Sequence, residues 1–314
     1  MANIVINNYC NLRCPYCFAN KYITEEEKQS ITTDQLSRIL TFLSKTNVNS
    51  VGIIGGEPTI HPNFLFILSQ VVGFCKNHDA QCIVYSNGIH LGEFAWFFKD
   101  KVKCLMNVNH PDIVGDRNWN SIINSLDRID KFGNINNITL GVNLYRTLDD
   151  YEFIFELANK YNRKTIRVSY AAPTCEFSNF GKEDYYNEAK EIFLPFASRA
   201  KDNGVGIDLD CNHIPRCYFN DKELAMLDKV ITNGFNDYCD PVVDITPDFK
   251  CTACFGAYEL FDLKNFENIY QVERFLSLKK MYPLAEGNLA DKCIGCPKHE
   301  NLSCQGGCLA FANK

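Results

Sequence analysis

The sequence lacks an excess of positive charge, which argues against a nucleic-acid-binding protein. Its 314 residues carry 38 acidic side chains against 32 Lys or Arg, for a net charge of −6, and no basic run or RNA-reading aromatic motif is present. The chain also lacks an apolar run long enough for a membrane helix and a secretory signal at its beginning. These absences predict a cytoplasmic protein that binds neither nucleic acid nor membrane.

Histidine is scarce in the sequence, with six residues, whereas cysteine is abundant, with sixteen. Disulfide frameworks are rare in reducing compartments, so clustered cysteines there more often bind metal or take part in redox chemistry. Three lie near the beginning of the chain, and nine lie between Cys211 and Cys308. Cys75, Cys82 and Cys104 fall in apolar helix-like or strand-like patterns, so we expect them to be small buried side chains.

The first two thirds of the chain alternate between strand-like and helix-like patterns. The strand-like runs are 3–7, 50–55, 81–86, 103–108, 137–145 and 165–171. The helix-like segments are 32–45, 63–78, 118–132, 150–161 and 184–202. This alternation predicts an α/β fold with a parallel sheet, either an open doubly wound sheet or a barrel. After about residue 205 the alternation stops, which predicts a first domain over 1–205 and a cysteine-rich second domain over 206–314.

The segment "YCNLRCPYC" places Cys10, Cys14 and Cys17 at spacing C-x3-C-x2-C directly after the first predicted strand. Three thiols are too few for a closed tetrahedral zinc site, and their number is odd for disulfides. A [4Fe–4S] cluster can be held by three thiolates, with its fourth iron left open to bind another molecule. The spacing therefore favours an open-site cluster over a structural zinc site.

The motif "CNLRCPYC" resembles the cluster-binding loop of radical S-adenosylmethionine (radical SAM) enzymes. The resemblance implies that Cys10, Cys14 and Cys17 hold a [4Fe–4S] cluster whose open iron binds SAM. It also implies that Tyr16 lies near the adenine of SAM. In that family the fold is a partial (β/α)6 barrel of the TIM type, with SAM and substrate at the carboxyl ends of the strands, and residues 1–205 are expected to form it.

A second motif, "GIIGGEPTIHP", places Gly55, Gly56, Glu57 and Pro58 directly after the second predicted strand. Paired glycines at a strand end predict a turn or a close approach of backbone. These four residues resemble the GGEP motif of radical SAM enzymes, which implies that their backbone and the Glu57 carboxylate contact the ammonium group of SAM. An ion pair of this kind is chemically sensible.

Polar residues near the ends of later predicted strands are further candidates for SAM contacts, because ligands of barrels bind there. Ser86 belongs to "YSNG" at the end of the third strand, and Asn143 lies in the fifth. Both are predicted to line the SAM site, although asparagine and serine also end strands without any ligand. Arg167 and Ser169 in the sixth strand are weaker candidates.

The segment "CIGCPKHENLSCQGGCLAF" has the spacing C-x2-C-x7-C-x3-C, which by itself also fits a zinc ribbon. With "DITPDFKC" upstream, it resembles the SPASM extension of radical SAM enzymes, which usually holds two auxiliary [4Fe–4S] clusters. The distal cysteines predicted as metal ligands are Cys211, Cys217, Cys239, Cys251, Cys254, Cys293, Cys296, Cys304 and Cys308. The extension usually has x5 where this sequence has x7, and it usually has a further cysteine after the last one. Two auxiliary clusters are predicted, with one cluster or a zinc site as the alternatives.

The resemblance implies an enzyme that cleaves SAM reductively, with electrons from a donor such as flavodoxin or ferredoxin, and abstracts a hydrogen atom from its substrate. A ribosomally made peptide is the predicted substrate, to be modified by a cross-link, a thioether, epimerisation or oxidation. Because the first strand begins near residue 3, a separate recognition protein or a short peptide is expected. The alternatives are a small-molecule dehydrogenase or epimerase of natural-product biosynthesis and a non-catalytic iron–sulfur redox protein. The GGEP motif argues against the last.

Cys175 lies in "AAPTCEFSNFG", just after the sixth predicted strand. At that end of a barrel a thiol would face the substrate. We therefore predict that Cys175 returns a hydrogen atom to a substrate radical, although an idle loop thiol is the simpler interpretation.

Overall fold

The structure, a computed structural model, describes residues 1–23, 27–146, 150–173, 179–210, 214–235, 238, 242–256, 259–285, 290–308 and 310–311. The strands are Ala2–Val5 (β1), Ser50–Ile54 (β2), Gln81–Ser86 (β3), Val102–Asn107 (β4), Ile138–Leu144 (β5), Thr165–Tyr170 (β6), Gly206–Leu209 (β7), Val243–Ile245 (β8), Lys250–Thr252 (β9) and Phe261–Asp262 (β10). The α-helices are Thr33–Leu43 (α1), Phe64–Asn77 (α2), Pro111–Lys131 (α3), Glu152–Lys160 (α4), Lys182–Asp202 (α5), Asp221–Leu227 (α6), Ile269–Ala285 (α7) and Pro297–Glu300 (α8).

The chain divides into two compact units, each built from separated segments. The first unit comprises Met1–Cys14, Ala19–Thr139 and Val242–Ser277. The second comprises Pro15–Phe18, Leu140–Pro241 and Leu278–Lys314. The predicted domain boundary near residue 205 stays a prediction.

In the first unit, β1, β2, β3 and β4 are neighbours in that order and pair in parallel. On the other side of β1, β8 pairs in parallel, followed by the antiparallel strands β9 and β10. Parallel neighbours need crossover connections, and α1 and α2 supply those between β1 and β3. Alternate residues of β3 and β4 are buried.

In the second unit, β5, β6 and β7 pair in parallel, and α4 and α5 are their crossover helices. Leu144, Val168 and Tyr170 are buried. Phe155 of α4 and Phe193 and Phe196 of α5 are buried as well. Each unit thus combines parallel strands with helices, which is the predicted α/β class, and parallel sheets of this kind are consistent with the predicted partial barrel of the TIM type.

The helices begin and end for identifiable local reasons. Thr32 caps α1 through its Oγ1, which accepts a hydrogen bond from the Gln35 N–H, while Gln35 Oε1 accepts from the Thr32 N–H at 2.8 Å. Such a reciprocal pair satisfies two otherwise unpaired helix amides. In α2, buried side chains recur at helical spacing from Phe64 to Cys75. The described helix α3 begins at Pro111, seven residues before the predicted start, and Gly115 interrupts it at φ +76°.

The six predicted strand runs correspond to β1 through β6. The pairing of β8 with β1 was not predicted, because β8 is a three-residue strand far away in the sequence. Cys75, Cys82 and Cys104 are buried, as predicted. In the described part of the chain, no helix combines the length and apolar character that crossing a bilayer requires.

A buried polar pair joins β1 to β8. Asn3 lies opposite Asp244 in the strand register, and its Nδ2 donates a hydrogen bond to Asp244 Oδ1 at 2.8 Å. Gly52 lies on the other side of Asn3, where an added Cβ would be 2.0 Å from Asn3 Oδ1. Burial raises the pKa of Asp244 to about 7. The sheet therefore contains a carboxyl group that is protonated well above its ordinary range.

Candidate active site

The cysteine loop, residues 9–17, follows β1 and begins against the end of β2. The Ile6 N–H donates a hydrogen bond to the Ile54 carbonyl at 2.8 Å, which keeps the two strands paired up to this point. Cys10, Cys14 and Cys17 are each partly exposed thiols, and none of them is in a disulfide. Cys14 Sγ lies 3.5 Å from Asn109 Oδ1, just beyond β4. The loop therefore brings Cys14 to the carboxyl end of β4, and the cluster ligation predicted for the three thiols stays a prediction.

Gly55 and Gly56 lie directly beneath the start of this loop. The Gly56 N–H donates to the Asn7 carbonyl and the Glu57 N–H donates to the Tyr9 carbonyl, each at 3.0 Å. A Cβ on Gly55 would lie 2.0 Å from Asn7 Oδ1, and one on Gly56 would lie 2.0 Å from the Tyr9 carbonyl oxygen. The paired glycines are thus required for close backbone approach, as the sequence predicted, and the backbone that approaches is that of the cysteine loop itself.

The Glu57 carboxylate is buried, with 1% of the residue exposed. Its Oε1 accepts hydrogen bonds from the Thr59 N–H at 3.1 Å, the Thr59 hydroxyl at 2.6 Å and the Ser86 hydroxyl at 2.8 Å. Its Oε2 accepts from the Asn87 N–H at 2.7 Å. Burial raises the pKa of Glu57, and the hydrogen bonds from Thr59, Asn87 and Ser86 oppose that rise.

The structure thus brings Glu57 and Ser86 together, as two members of the predicted SAM site. Because the carboxylate oxygens accept four hydrogen bonds from the chain, Glu57 holds the turn after β3 in place. Pro58, which follows it, begins a short 3-10 turn over Pro58–Ile60 and is buried. The predicted contact between the Glu57 carboxylate and the SAM ammonium stays a prediction.

The turn after β3 also connects back to the cysteine loop. Asn87 Nδ2 donates to Asn11 Oδ1 at 2.8 Å, and Asn87 Oδ1 accepts from the Ile89 N–H at 3.1 Å. A chain of hydrogen bonds therefore runs from Glu57 through Asn87 to Asn11, between Cys10 and Cys14. The three predicted motifs of the first unit form one connected polar network.

Asn7 adds a buried acceptor to this network. Its Nδ2 donates to the Glu57 and Tyr9 carbonyls at 2.9 and 3.3 Å. Its Oδ1 is buried and receives no hydrogen bond from the described residues. Asn7 and Asn11 were missed as site residues. Their signal in the sequence was the asparagine-rich "INNYCN", in which a short polar side chain can bond to nearby backbone.

In the second unit, predicted site residues lie on β5 and β6 and in the cysteine loop. Asn143 and Ser169 face each other across the register, and the Ser169 hydroxyl donates to Asn143 Oδ1. The Tyr16 and Tyr145 rings are 5.1 Å apart. Arg167 forms an ion pair with Asp210. Polar side chains thus share one face of β5 and β6, and the SAM contacts predicted for Tyr16 and Asn143 stay predictions.

Backbone amides point at three of the predicted ligand sulfurs. The Leu12 N–H donates to Cys10 Sγ at 3.4 Å. The same two-residue pattern recurs where Gly306 donates to Cys304 Sγ and Ala310 donates to Cys308 Sγ, both at 3.4 Å. Hydrogen bonds of this kind favour the thiolate over the thiol, which is the form that binds iron.

The described distal cysteines divide between the two units. Cys251, buried in β9, and Cys254 belong to the first unit. Burial raises the pKa of Cys251 to about 12. The second unit contains Cys217, Cys293, Cys296, Cys304 and Cys308. Cys211 and Cys239, together with the proposed hydrogen donor Cys175, lie outside the described residues, so their roles stay predictions.

The distal thiols of the second unit influence one another's ionisation. Burial raises the pKa of Cys217, and the negative charges of Cys293 and Cys304 raise it further. Burial raises the pKa of Cys293 too, with added contributions from Cys304 and Cys296.

A single metal ion requires ligands packed around one point. No three Cys, His, Asp or Glu side chains of the described residues converge in that way. A [4Fe–4S] cluster carries its thiolates on separate irons, and thiols that are neighbours without converging fit that donor set.

Known proteins resemble parts of this chain. Residues 4–158 match the family model described as Radical SAM superfamily. GTP 3',8-cyclase of Haemophilus influenzae (strain PittGG) is 24% identical over 157 residues, which are 47% of this chain and 46% of that protein. The match thus spans about half the length of the curated relatives.

Two solved structures share the fold over nearly the whole chain. One is native anSMEcpe with bound AdoMet and Kp18Cys peptide, with a TM-score of 0.64 and 15% identity over 99% of this chain and 90% of that one. The other is Streptococcus suis SuiB bound to precursor peptide SuiA, with a TM-score of 0.60 and 17% identity over 98% of this chain and 71% of that one. At such low identity the likeness shows the fold. Together with the family match, it leads to one conclusion: residues 4–158 form a radical SAM domain.

Proposed function

We propose that this chain is a peptide-modifying radical SAM enzyme with auxiliary iron–sulfur clusters of the SPASM type. The observation that carries the catalytic part is the hydrogen-bond chain from Glu57 through Asn87 to Asn11, because it joins the GGEP motif and the turn after β3 to the cysteine loop. When bound, a [4Fe–4S] cluster and SAM supply reductive cleavage of SAM and a 5′-deoxyadenosyl radical for hydrogen-atom abstraction.

The chain's own residues have distinct tasks in this proposal. Cys10, Cys14 and Cys17 hold the cluster and leave one iron open. Gly55 and Gly56 let the loop lie directly on the end of β2. Glu57 fixes the turn that carries Ser86, so that the polar groups around SAM are held before it binds. Preorganised polar groups of this kind are not rearranged at the moment of reaction.

The peptide part of the proposal is supported by the two fold neighbours, since both have a bound peptide. The polar face of β5 and β6, with Asn143, Ser169 and Arg167, offers hydrogen-bond partners for an amide backbone. The distal cysteines supply thiolate ligands for the auxiliary clusters, and a flavodoxin or ferredoxin supplies the electrons.

The test measures 5′-deoxyadenosine formation by the anaerobically reconstituted enzyme with SAM and a low-potential reductant. Candidate precursor peptides from neighbouring genes are compared with GTP and with aminocyclitols. We expect a peptide to raise the rate at least tenfold and to change in mass. A rise with a small molecule and none with peptides would instead support the small-molecule dehydrogenase or epimerase. Cys175→Ala in the same assay tests the predicted hydrogen donor, because unchanged product yield and stereochemistry would remove that role.

A further inference from the structure

The first turns of α5 pack against the last described residues of the distal cysteine region, 306–308 and 310–311. The Cys308 N–H donates a hydrogen bond to the Tyr186 hydroxyl at 2.6 Å. A Cβ on Gly307 would lie 2.0 Å from the same hydroxyl oxygen. The Phe311 ring lies 5.2 Å from the Tyr185 ring. Tyr185 and Tyr186 are fully buried, so this contact fixes the position of Cys308 against the helix.

Lys182 lies one helical turn before Tyr186 and therefore on the same face of α5. Only 9% of this lysine is exposed, and its Nζ lies 5.7 Å from the centre of the Phe311 ring. Burial lowers the pKa of Lys182, and the negative charges of Cys293 and Cys308 act in the opposite direction.

Thiolate-bound iron–sulfur clusters provide such charge. The potential of a cluster depends on its net charge, its hydrogen bonds and its exposure to solvent. One-electron reduction adds a negative charge, and a neighbouring cation in a region of low dielectric stabilises the reduced state more than the oxidised state. The cation therefore makes the cluster easier to reduce.

We propose that Lys182 raises the reduction potential of the auxiliary iron–sulfur cluster bound beside Cys293 and Cys308. The inference rests on the auxiliary clusters of the proposed function. Lys182 acts here on the cluster and not on the substrate, since it lies beside Phe311 and on the same face of α5 as Tyr186, which contacts Cys308.

The experiment is a potentiometric titration of the full-length chain followed by electron paramagnetic resonance. Cys10, Cys14 and Cys17 are all changed to Ala in every sample, so that only auxiliary clusters contribute to the signal. Lys182→Met and Lys182→Gln remove the charge, and Lys182→Arg keeps it. Lys201→Met is the matched control, because Lys201 is exposed near the other end of the same helix.

We expect the neutral variants to hold as much iron as the unsubstituted background. At the midpoint potential of the background, the ratio of reduced to oxidised cluster in the neutral variants should be at least tenfold lower than in the background. This corresponds to a shift of the midpoint potential by about 59 mV for one electron. Lys182→Arg and Lys201→Met should remain within threefold of the background.

Equal iron and an unchanged potential in the neutral variants would overturn the inference while leaving the proposed function intact. If both neutral variants fail to bind iron while Lys182→Arg binds it, the charge serves assembly instead of tuning, and the inference as stated is wrong. Absence of auxiliary iron in the background itself, measured before any titration, would overturn the auxiliary-cluster part of the proposed function and the inference with it.

Discussion

Asparagine and glutamate side chains surround the cysteine loop, whereas aromatic rings and a buried lysine surround the distal cysteines of the second unit. In the loop region, Asn7, Asn11, Glu57 and Asn87 form one hydrogen-bond network. Near Cys308, the neighbours are Tyr186, Phe311 and Lys182. A polar network suits a small molecule with an ammonium and a carboxylate. Aromatic packing with a buried cation suits an inorganic cluster that is only reduced and oxidised.

The largest effect is expected from removing predicted cluster ligands in the distal region. Replacing Cys304 and Cys308 together by Ala should lower bound iron by about four atoms per chain, since both sulfurs accept amide hydrogen bonds as ligands would. SAM cleavage should persist, because the cysteine loop lies outside the distal region. Iron and 5′-deoxyadenosine are both measured, and Cys75→Ala, at a buried thiol that the site does not use, serves as the control. Loss of SAM cleavage together with the iron would contradict the separation of the two regions.

Gly56→Ala tests the close contact under the loop. The added Cβ would lie 2.0 Å from the Tyr9 carbonyl oxygen, and backbone has to move to relieve such overlap, at a cost of about 1–3 kcal/mol. We expect the variant to fold with a displaced loop and to bind fewer irons than the wild type.

Gly73→Ala is the matched control, because an added Cβ there meets nothing within 4 Å and alanine is favoured in a helix by about 0.5–1 kcal/mol. Full iron content in Gly56→Ala would show that the loop position does not depend on this glycine.

Glu57→Gln tests the role of the polar network around the cysteine loop. The amide replaces one accepting oxygen with a donor, which then faces the hydrogen-bond donors of Ser86, Thr59 or Asn87. The free energy of unfolding should fall by about 1–3 kcal/mol, and SAM should bind more weakly to the loaded enzyme. Denaturant unfolding and equilibrium binding measure the two effects. Glu93→Gln, at an exposed pair with His90, should change neither; equal behaviour of the two variants would remove the network role.

The smallest effect on either cysteine region is expected from Asp244→Asn. Because the pKa of Asp244 is about 7 instead of its ordinary 3.8, the folded state binds a proton that the unfolded state has released. The free energy of unfolding of the wild type should thus fall by about 1.4 kcal/mol per pH unit as the pH rises toward 7.

Above pH 7 this fall should level off. Asp244→Asn should lack this component between pH 6 and 8.5 in anaerobic urea unfolding, with iron content unchanged. Identical pH dependence in the two proteins would show that the carboxyl is not the cause.

Much of the site could be predicted because its residues are local in the sequence. Cys10, Cys14 and Cys17 occupy one short loop, and Gly55 to Pro58 follow a strand, so strand order alone brings them to the same edge. The link from Asn87 to Asn11 joins residues 76 positions apart, and nothing in either segment encodes that distance. Lys182 was missed for a similar reason, since burial next to distant cysteines depends on packing that helical periodicity does not reveal.

The most direct measurement is iron and sulfide per chain, together with SAM cleavage, after anaerobic reconstitution of the wild type and of the variant with Cys10, Cys14 and Cys17 all changed to Ala. We predict about twelve irons in the wild type, falling to about eight in the variant, with complete loss of 5′-deoxyadenosine formation. A variant that keeps both the full iron content and SAM cleavage would contradict the assignment of the catalytic cluster to the cysteine loop.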